Sequence, residues 1–597
     1  MLLLKGLHEE AFEIATAHAH KGEHEQALAM FKRLLEERPE EPAVRYNYAV
    51  ILEKLELNAE ALKQYRMLSE ELPEYGNAAI GYARMLEQGR QYCCAVGVLR
   101  LAAAASPEDS QVAAALGNSL IMAGEPETAL LWYRVALTLS SNDRTVISNF
   151  LYTLLMVSDI SANIVAKELQ LSAAYPLLAI KLANAARQLH DLNSNKITTF
   201  HTTFGSILKG DRSERRFPAG KSHGDRIRIG YISADLYSHP VGYFLEGVLP
   251  NHDRQRWEVF VFAPYAERDQ LTAKLKSMSD HWFVLDGSNR DCMRKQVQEC
   301  GLDIAVDLAG HTGGNYLDLF AQGLAPIQIA WGGYPGTTGL SAMDYIIADH
   351  VALPPEEESF YAERALRLPH DYVSFVPPEK APLPGPLPAT TRGVITFGSF
   401  NTVQKLSSNT LVLWGGVLRA IPDSRLFLKA KGFDDPQVCS AFLQKLAAEG
   451  VTPERVYLEG YSSRLDVMTA YKQVDVALDP VPYQGGVTVL EALWMGVPTL
   501  VLRGGRPPFV RHGESHLSNV GLADWIAASE EEYIAKAVAW SRDLPGLATL
   551  RSRLRQQTAV SPICDTAGFT RDLEATFERA LRDSTLFSGR GTVPEWL

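Results

Sequence analysis

The chain has 597 residues, of which 46% are hydrophobic and 21% charged, with a formal net charge of -12. This composition excludes a mostly disordered chain, a collagen-like fibre and a small disulfide scaffold, and the length implies about three domains. The acidic balance argues against binding nucleic acid by bulk electrostatics.

The opening residues, MLLLKGLHEEAFE, break their apolar run at Lys5, too early for a signal-peptide core. No run of about 18 apolar residues follows, so no membrane span is expected. The six cysteines, Cys93, Cys94, Cys292, Cys300, Cys439 and Cys564, form no C-x-x-C pair and have no histidine cluster beside them. A structural zinc site is therefore not expected. Sparse, scattered cysteines fit a reducing compartment, so a cytoplasmic location is expected.

Residues 1–144 repeat. A shift of 34 positions superposes Ala27, Ala61, Ala95 and Ala129, then Phe31, Tyr65, Leu99 and Tyr133, and upstream Ala15, Ala49, Ala83 and Gly117. Pro39, Pro73 and Pro107 close three of the units, and Gly22 and Gly124 fall at turns. This is the tetratricopeptide (TPR) period, with two antiparallel helices per unit. The small positions let the helices approach and the large ones fill the space against the next unit. These residues are core. Function is expected on the groove of the array, where an extended peptide or protein binds, with self-association as the alternative. Residues 145–208 stay helical as the 34-residue register fades, and read as a capping or joining unit. The polar stretch 209–226 reads as a linker.

From Ile227 the period changes. Short apolar runs alternate with helical stretches: 227–233, 258–264, 303–309, 327–331 and 344–349. After the proline-rich connector 377–393 come 394–400, 425–430, 455–460, 475–480 and 498–502. The pattern predicts two Rossmann-like α/β halves, 227–376 and 394–597, with ligands outside the carboxyl ends of parallel strands. No G-x-G-x-x-G follows a first strand, which disfavours NAD.

Three loops combine reactive residues with the right end of a strand. His239, in SADLYSHPVGYF, is a candidate general base or phosphate donor. His311, in DLAGHTGGN, lies beside Gly313 and Gly314, and a second glycine-rich segment, WGGYPGTTG, follows another strand. In DPVPYQGGVTVLEALWMGVP, Gly485 and Gly486 lead into a helix from about Val487, whose free N–H groups make an anion site. Thr488 adds a hydroxyl, and Glu491, one turn on, could accept from both ribose hydroxyls. Lys405, in SFNTVQKLS, could neutralise a pyrophosphate.

These ordered segments, together with LAPIQIAWGGYPGTTG and MDYIIAD, resemble the TPR-containing O-GlcNAc transferase and SPINDLY family of glycosyltransferases (family 41), in its bacterial short form. The resemblance implies a TPR superhelix followed by a GT-B fold, and inverting transfer of a sugar from a nucleotide sugar to Ser or Thr without metal or other cofactor. It gives His239 and His311 as active-site residues, Lys405 as the contact of the donor diphosphate, Thr488 as part of the diphosphate loop and Glu491 as the ribose ligand. Two departures bear on donor identity. The loop reads Gly485-Gly486-Val487-Thr488 where typical members carry further hydroxyl or imidazole groups, and Thr402 stands where O-GlcNAc members carry Gln near the nucleotide. UDP-GlcNAc is therefore the family default, with a flagellin-type enzyme using a CMP-nonulosonic acid as the rival. A catalytically weak binding platform and a sugar-nucleotide epimerase are the remaining alternatives. Retaining GT-B enzymes carry a second glutamate eight positions before Glu491; here that position is Tyr483, which favours inversion.

Overall fold

The structure is a computed structural model. It describes residues 8–157, 164–165, 168, 176–190, 194–208, 226–287, 289–504 and 510–583. The expected linker thus lies, except for Arg226, outside the described residues. Among them, no helix is long and apolar enough to cross a membrane, and the six cysteines form no disulfide.

The chain divides into two compact units. The first takes in described residues within 1–146, 159–191 and 432–441, the second those within 147–158, 192–431 and 442–597. The first unit is a stack of helical hairpins, with helices His8–His20 and His24–Glu37, Pro42–Lys54 and Asn58–Glu71, Gly76–Gln88 and Tyr92–Ala105, and Ser110–Met122 and Pro126–Leu139. The repeat positions are its core: Ala27, Ala61, Ala95, Ala129, Phe31, Tyr65 and Leu99 are fully buried, and Tyr133 nearly so. Gly117 shows why a small residue is needed, since a Cβ there would stand 2.5 Å from the Tyr133 ring. The second helices of three pairs stop just before Pro39, Pro73 and Pro107, as the missing N–H of proline requires.

The segment 145–208, read as one joining unit, is shared out. Described residues 147–157 and 194–208 belong to the second unit, where Ser148 bonds His311 and the His201 ring meets Tyr334.

The second unit contains two all-parallel sheets. The first comprises β1 (Ile227–Ile232), β2 (Trp257–Ala263), β3 (His281–Val284), β4 (Ile304–Asp307), β5 (Ile327–Ala330), β6 (Tyr345–Ala348) and β7 (Arg364–Arg367), in spatial order β3-β2-β1-β4-β5-β6-β7. The second comprises β8 (Thr396–Ser399), β9 (Arg425–Lys429), β10 (Val456–Glu459), β11 (Val476–Leu478), β12 (Thr499–Leu502) and β13 (Ile526–Ala527), in order β10-β9-β8-β11-β12-β13. The ten strands read from sequence are all present, and β3, β7 and β13 extend the sheets beyond that reading. In each sheet the strand order reverses at one place, β1/β4 and β8/β11, paired Ile232 to Asp307 and Ala477 to Gly398. A doubly wound sheet opens its ligand crevice there.

The two lobes are tied by buried polar pairs. Ser515 Oγ donates to Asp349 Oδ2 at 2.7 Å, and His516 Nδ1 pairs with Asp371 Oδ2 at 2.6 Å. The final helix, Thr566–Asp583, returns to the first lobe, where Glu574 meets His252 at 2.8 Å.

Candidate active site

The predicted site residues follow the four strands that flank the reversal points. His239 follows β1, His311 follows β4, Thr402 and Lys405 follow β8, and Gly485 to Glu491 follow β11. The topology alone therefore gathers them at the carboxyl edges of the two sheets.

Lys405 ends a short turn of 3-10 helix, Val403–Lys405. Its Nζ donates to Gln484 O at 3.2 Å and stands 4.0 Å from the centroid of the Tyr483 ring. Burial pulls its ammonium down to about 8 against the opposing attraction of Asp479. Asp479, directly after β11, is itself buried, and burial lifts its carboxyl to about 7 although Gly485 N–H and Lys405 favour the charged form. Oδ1 accepts from Gly485 N at 2.8 Å, while Oδ2 has no hydrogen-bond partner among the described residues.

The loop between β11 and its helix is pinned at several points. Val481 O accepts from Ser407 Oγ and Thr410 Oγ1, both at 2.7 Å. Gln484 spans to Leu502 O at 2.8 Å and accepts from Glu514 N at 3.2 Å. The helix Val487–Trp494 then starts from Gly486. Its first N–H groups, at Val487 and Thr488, have no intrahelical acceptor and no other acceptor among the described residues. Gly485 N–H is committed to Asp479, so the expected diphosphate loop begins in effect at Gly486. The Thr488 hydroxyl donates to Asn401 Oδ1 at 3.0 Å and keeps its lone pairs. Thr402 is exposed beside Asn401 at the end of β8.

Glu491 lies one turn into that helix, 5% exposed, its carboxyl raised by burial and held back by Arg464, whose Nε donates to Oε1 at 2.6 Å. His239 caps the helix Pro240–Val248, and its Nδ1 accepts from Val241 N at 3.4 Å. Burial lowers its proton affinity, with Asp235 opposing, so the ring favours the neutral form. With Nδ1 as acceptor, the neutral ring carries its proton on Nε2. The geometry thus offers a donor at Nε2 and narrows the expectation of a general base.

His311 is placed differently from the expectation of an active-site residue. It is fully buried, with Nδ1 bonded to Ser148 Oγ and Nε2 to Thr338 O, both at 3.1 Å. Phe204 packs edge-on at 4.7 Å, and His201 and Tyr334 close the remaining faces. Desolvation holds the imidazole neutral. Both ring nitrogens are occupied, so His311 ties the helices before β1 to the loops of the first sheet and has no free atom for a substrate.

Four groups escaped sequence reading: Asp479, Arg464, Tyr243 and Tyr152. Tyr152, from the segment before the first sheet, brings its ring within 6.2 Å of Tyr483 and 6.4 Å of Tyr334. Only the Asp479 position, at a strand end before a Gly-Gly loop, carried a readable signal. Among the described residues, no three His, Cys, Asp or Glu side chains gather to hold a metal ion.

Comparison with known proteins agrees with this architecture. Residues 172–377 and 387–573 match the sequence model of Glycosyl transferase family 41, and residues 18–84 match that of a tetratricopeptide repeat. A probable UDP-N-acetylglucosamine--peptide N-acetylglucosaminyltransferase SPINDLY of Petunia hybrida is 34% identical over 405 residues, covering 67% of this chain and 43% of that protein. The protein of the same name from Solanum lycopersicum is 37% identical over 360 residues, 59% of this chain and 38% of that one. The chain thus spans well under half the length of these curated relatives. A mutant of the Thermobaculum terrenum O-GlcNAc transferase superposes with a TM-score of 0.79 at 28% identity, covering 98% of this chain and 100% of the other. With the family match covering more than half of its length, and with repeats and parallel sheets where that match requires them, this chain belongs to glycosyl transferase family 41.

Proposed function

We propose that the chain transfers a sugar from a nucleoside diphosphate sugar to Ser or Thr hydroxyls of a protein, with inversion and without a metal or cofactor. The observation that carries this reading is Lys405 Nζ standing over the loop that opens the helix Val487–Trp494, whose first N–H groups have no acceptor among the described residues. A cation and a helix N-terminus converging on one small volume suit a diphosphate. The relatives' names, which specify UDP-N-acetylglucosamine and peptide, support UDP-GlcNAc as the donor. The repeat array supports a protein acceptor, held along its groove.

In this mechanism the acceptor oxygen attacks the anomeric carbon from the face opposite the diphosphate. The carbon–oxygen bond to the diphosphate breaks, and the nucleoside diphosphate leaves with the bonding pair. Lys405 and the N–H groups of Val487 and Thr488 stabilise the charge that develops on it, a contribution of several kcal/mol in water-poor sites (~3 kcal/mol for one well-placed donor). Glu491 accepts from the ribose hydroxyls. His239 donates from Nε2 to an oxygen of the reacting groups, and the acceptor's hydroxyl proton passes to solvent or to a basic oxygen of the leaving group. A CMP-linked sugar offers one phosphate, whereas a cation beside a helix N-terminus suits two, which supports a diphosphate donor over a nonulosonic acid on flagellin.

The test is incubation with a panel of labelled nucleotide sugars, with and without EDTA, and with candidate acceptor proteins including flagellin, followed by mass spectrometry. Label from UDP-GlcNAc on Ser or Thr, unaffected by EDTA, is expected. A changed free sugar would indicate an epimerase instead, and nucleotide binding without turnover a platform.

A further inference from the structure

Arg464 starts the helix Arg464–Ala470 that follows β10. Its Nε donates to Glu491 Oε1 at 2.6 Å, and its guanidinium carbon stands 3.6 Å from the centroid of the Tyr243 ring. Glu491 lies one turn into the helix that opens the donor loop, in the second lobe. Tyr243 lies one turn into the helix that His239 caps, in the first lobe. One planar group therefore touches both helices that carry the candidate chemistry. The side chain is 20% exposed, and its Nη2 is buried without a partner among the described residues. The ion pair with Glu491 and the stack on Tyr243 are thus its recorded attachments. A guanidinium can present an edge to a carboxylate and a face to a ring at once, which an ammonium cannot.

We propose that Arg464 is a positioning residue that latches the two lobes in catalytic register. On one side it holds the Glu491 carboxylate ionised and oriented for the donor ribose. On the other, through the face of Tyr243, it fixes the helix whose cap is His239. The inference rests on the donor-site reading above and adds a coupling that reading lacks, since no other side chain among the described residues is hydrogen-bonded, ion-paired or stacked onto both helices. Displacements of about 1 Å at reacting groups can cost 10²-fold in rate, so a latch between helices from different lobes acts on turnover more than on binding. The two contacts separate in their effects. Loss of the ring face frees the His239 helix and leaves the donor pocket whole. Loss of the guanidinium also leaves Glu491 as a buried carboxyl without its counter-charge, which takes up a proton.

The test uses the full chain with Tyr243→Leu, Tyr243→Phe, Arg464→Lys and Arg464→Met. With UDP-GlcNAc as donor, Tyr243→Leu is expected to lower kcat about tenfold while the Kd for UDP stays within about twofold of wild type, and Tyr243→Phe, which keeps the ring face, to restore kcat. Arg464→Lys is expected to behave as Tyr243→Leu, and Arg464→Met to raise the Kd for UDP about tenfold as well. Full kcat in Tyr243→Leu, or equal loss in the Leu and Phe variants, overturns the latch. Hydrogen exchange read without substrate decides the matter separately from the activity. The latch requires faster exchange in the helix Pro240–Val248 in both Tyr243→Leu and Arg464→Met, with β1 and β8 unchanged. Unaltered exchange there refutes the latch even in an active enzyme. A wild type that transfers no sugar refutes the proposed function and leaves the latch to the exchange result.

Discussion

Lys405→Met is the most informative single change, because its effects on stability and on activity should have opposite signs. Methionine keeps most of the volume and removes the charge. In the wild type, burial pulls the ammonium from its ordinary 10.5 to about 8. A lysine whose folded value lies below its unfolded one weighs against folding in full below pH 8, and the penalty is relieved as the pH rises from 8 towards 10.5. At 1.36 kcal/mol per unit, that penalty is on the order of 3 kcal/mol near neutrality. Asp479 loses its partner in the variant, but its carboxyl already stands at about 7 and takes up a proton instead of remaining charged. The net expectation is a gain of about 1–2 kcal/mol, read as a raised thermal midpoint at pH 7. Transfer, measured as labelled sugar on the acceptor, should fall about 10²–10³-fold, the usual effect of removing one donor to a developing charge. For the wild type, kcat/KM should fall about tenfold between pH 7 and 9 as the free enzyme's Lys405 loses its proton. A variant that loses stability and keeps its rate, or a wild-type profile flat to pH 9.5, would refute the diphosphate assignment.

Three further changes separate the scaffold from the site. His311→Asn should cost about 2–4 kcal/mol in denaturant unfolding, because two buried partners lose their bonds, while activity per folded molecule stays within about threefold; a loss of turnover without a loss of stability would return His311 to the catalytic set. Gly117→Ala drives a Cβ against the buried Tyr133 ring and should destabilise the repeat unit by about 1–3 kcal/mol in calorimetry, with nucleotide affinity untouched. Glu491→Gln should weaken UDP binding about tenfold by titration calorimetry, and an affinity within twofold of wild type would end the ribose assignment.

The sequence made most of this architecture legible because its signals were long or repeated. The 34-residue register fixed the helical array, and ten apolar runs marked ten strands. The strands not foreseen had weaker signals: β7 reads Arg-Ala-Leu-Arg at a sheet edge, β13 has two residues, and β3 is short and only half-buried. Candidate site residues could be picked out where they followed a strand within a distinctive loop, as at Lys405 and Gly486. Arg464 and Tyr243 were not, because a cation and a ring 221 positions apart carry no mark of their meeting until two separate lobes fold. His311 misled for a related reason. A histidine in a glycine-rich loop looks available, and only the neighbouring chain, through Ser148 and Phe204, shows that it is enclosed.

The two adjacent glycines of the donor loop answer to different demands. At Gly485 a Cβ would stand 2.5 Å from Thr488 Oγ1 and 2.7 Å from Asp479 Oδ1, so any side chain there forces those two groups to move. At Gly486 a Cβ would meet nothing within 4 Å among the described residues. The loop is thus a crowded pivot followed by an open socket, and if the proposed donor site is right, side chains planted in that socket are the place to retune its preference while the hinge of the loop stays as it is.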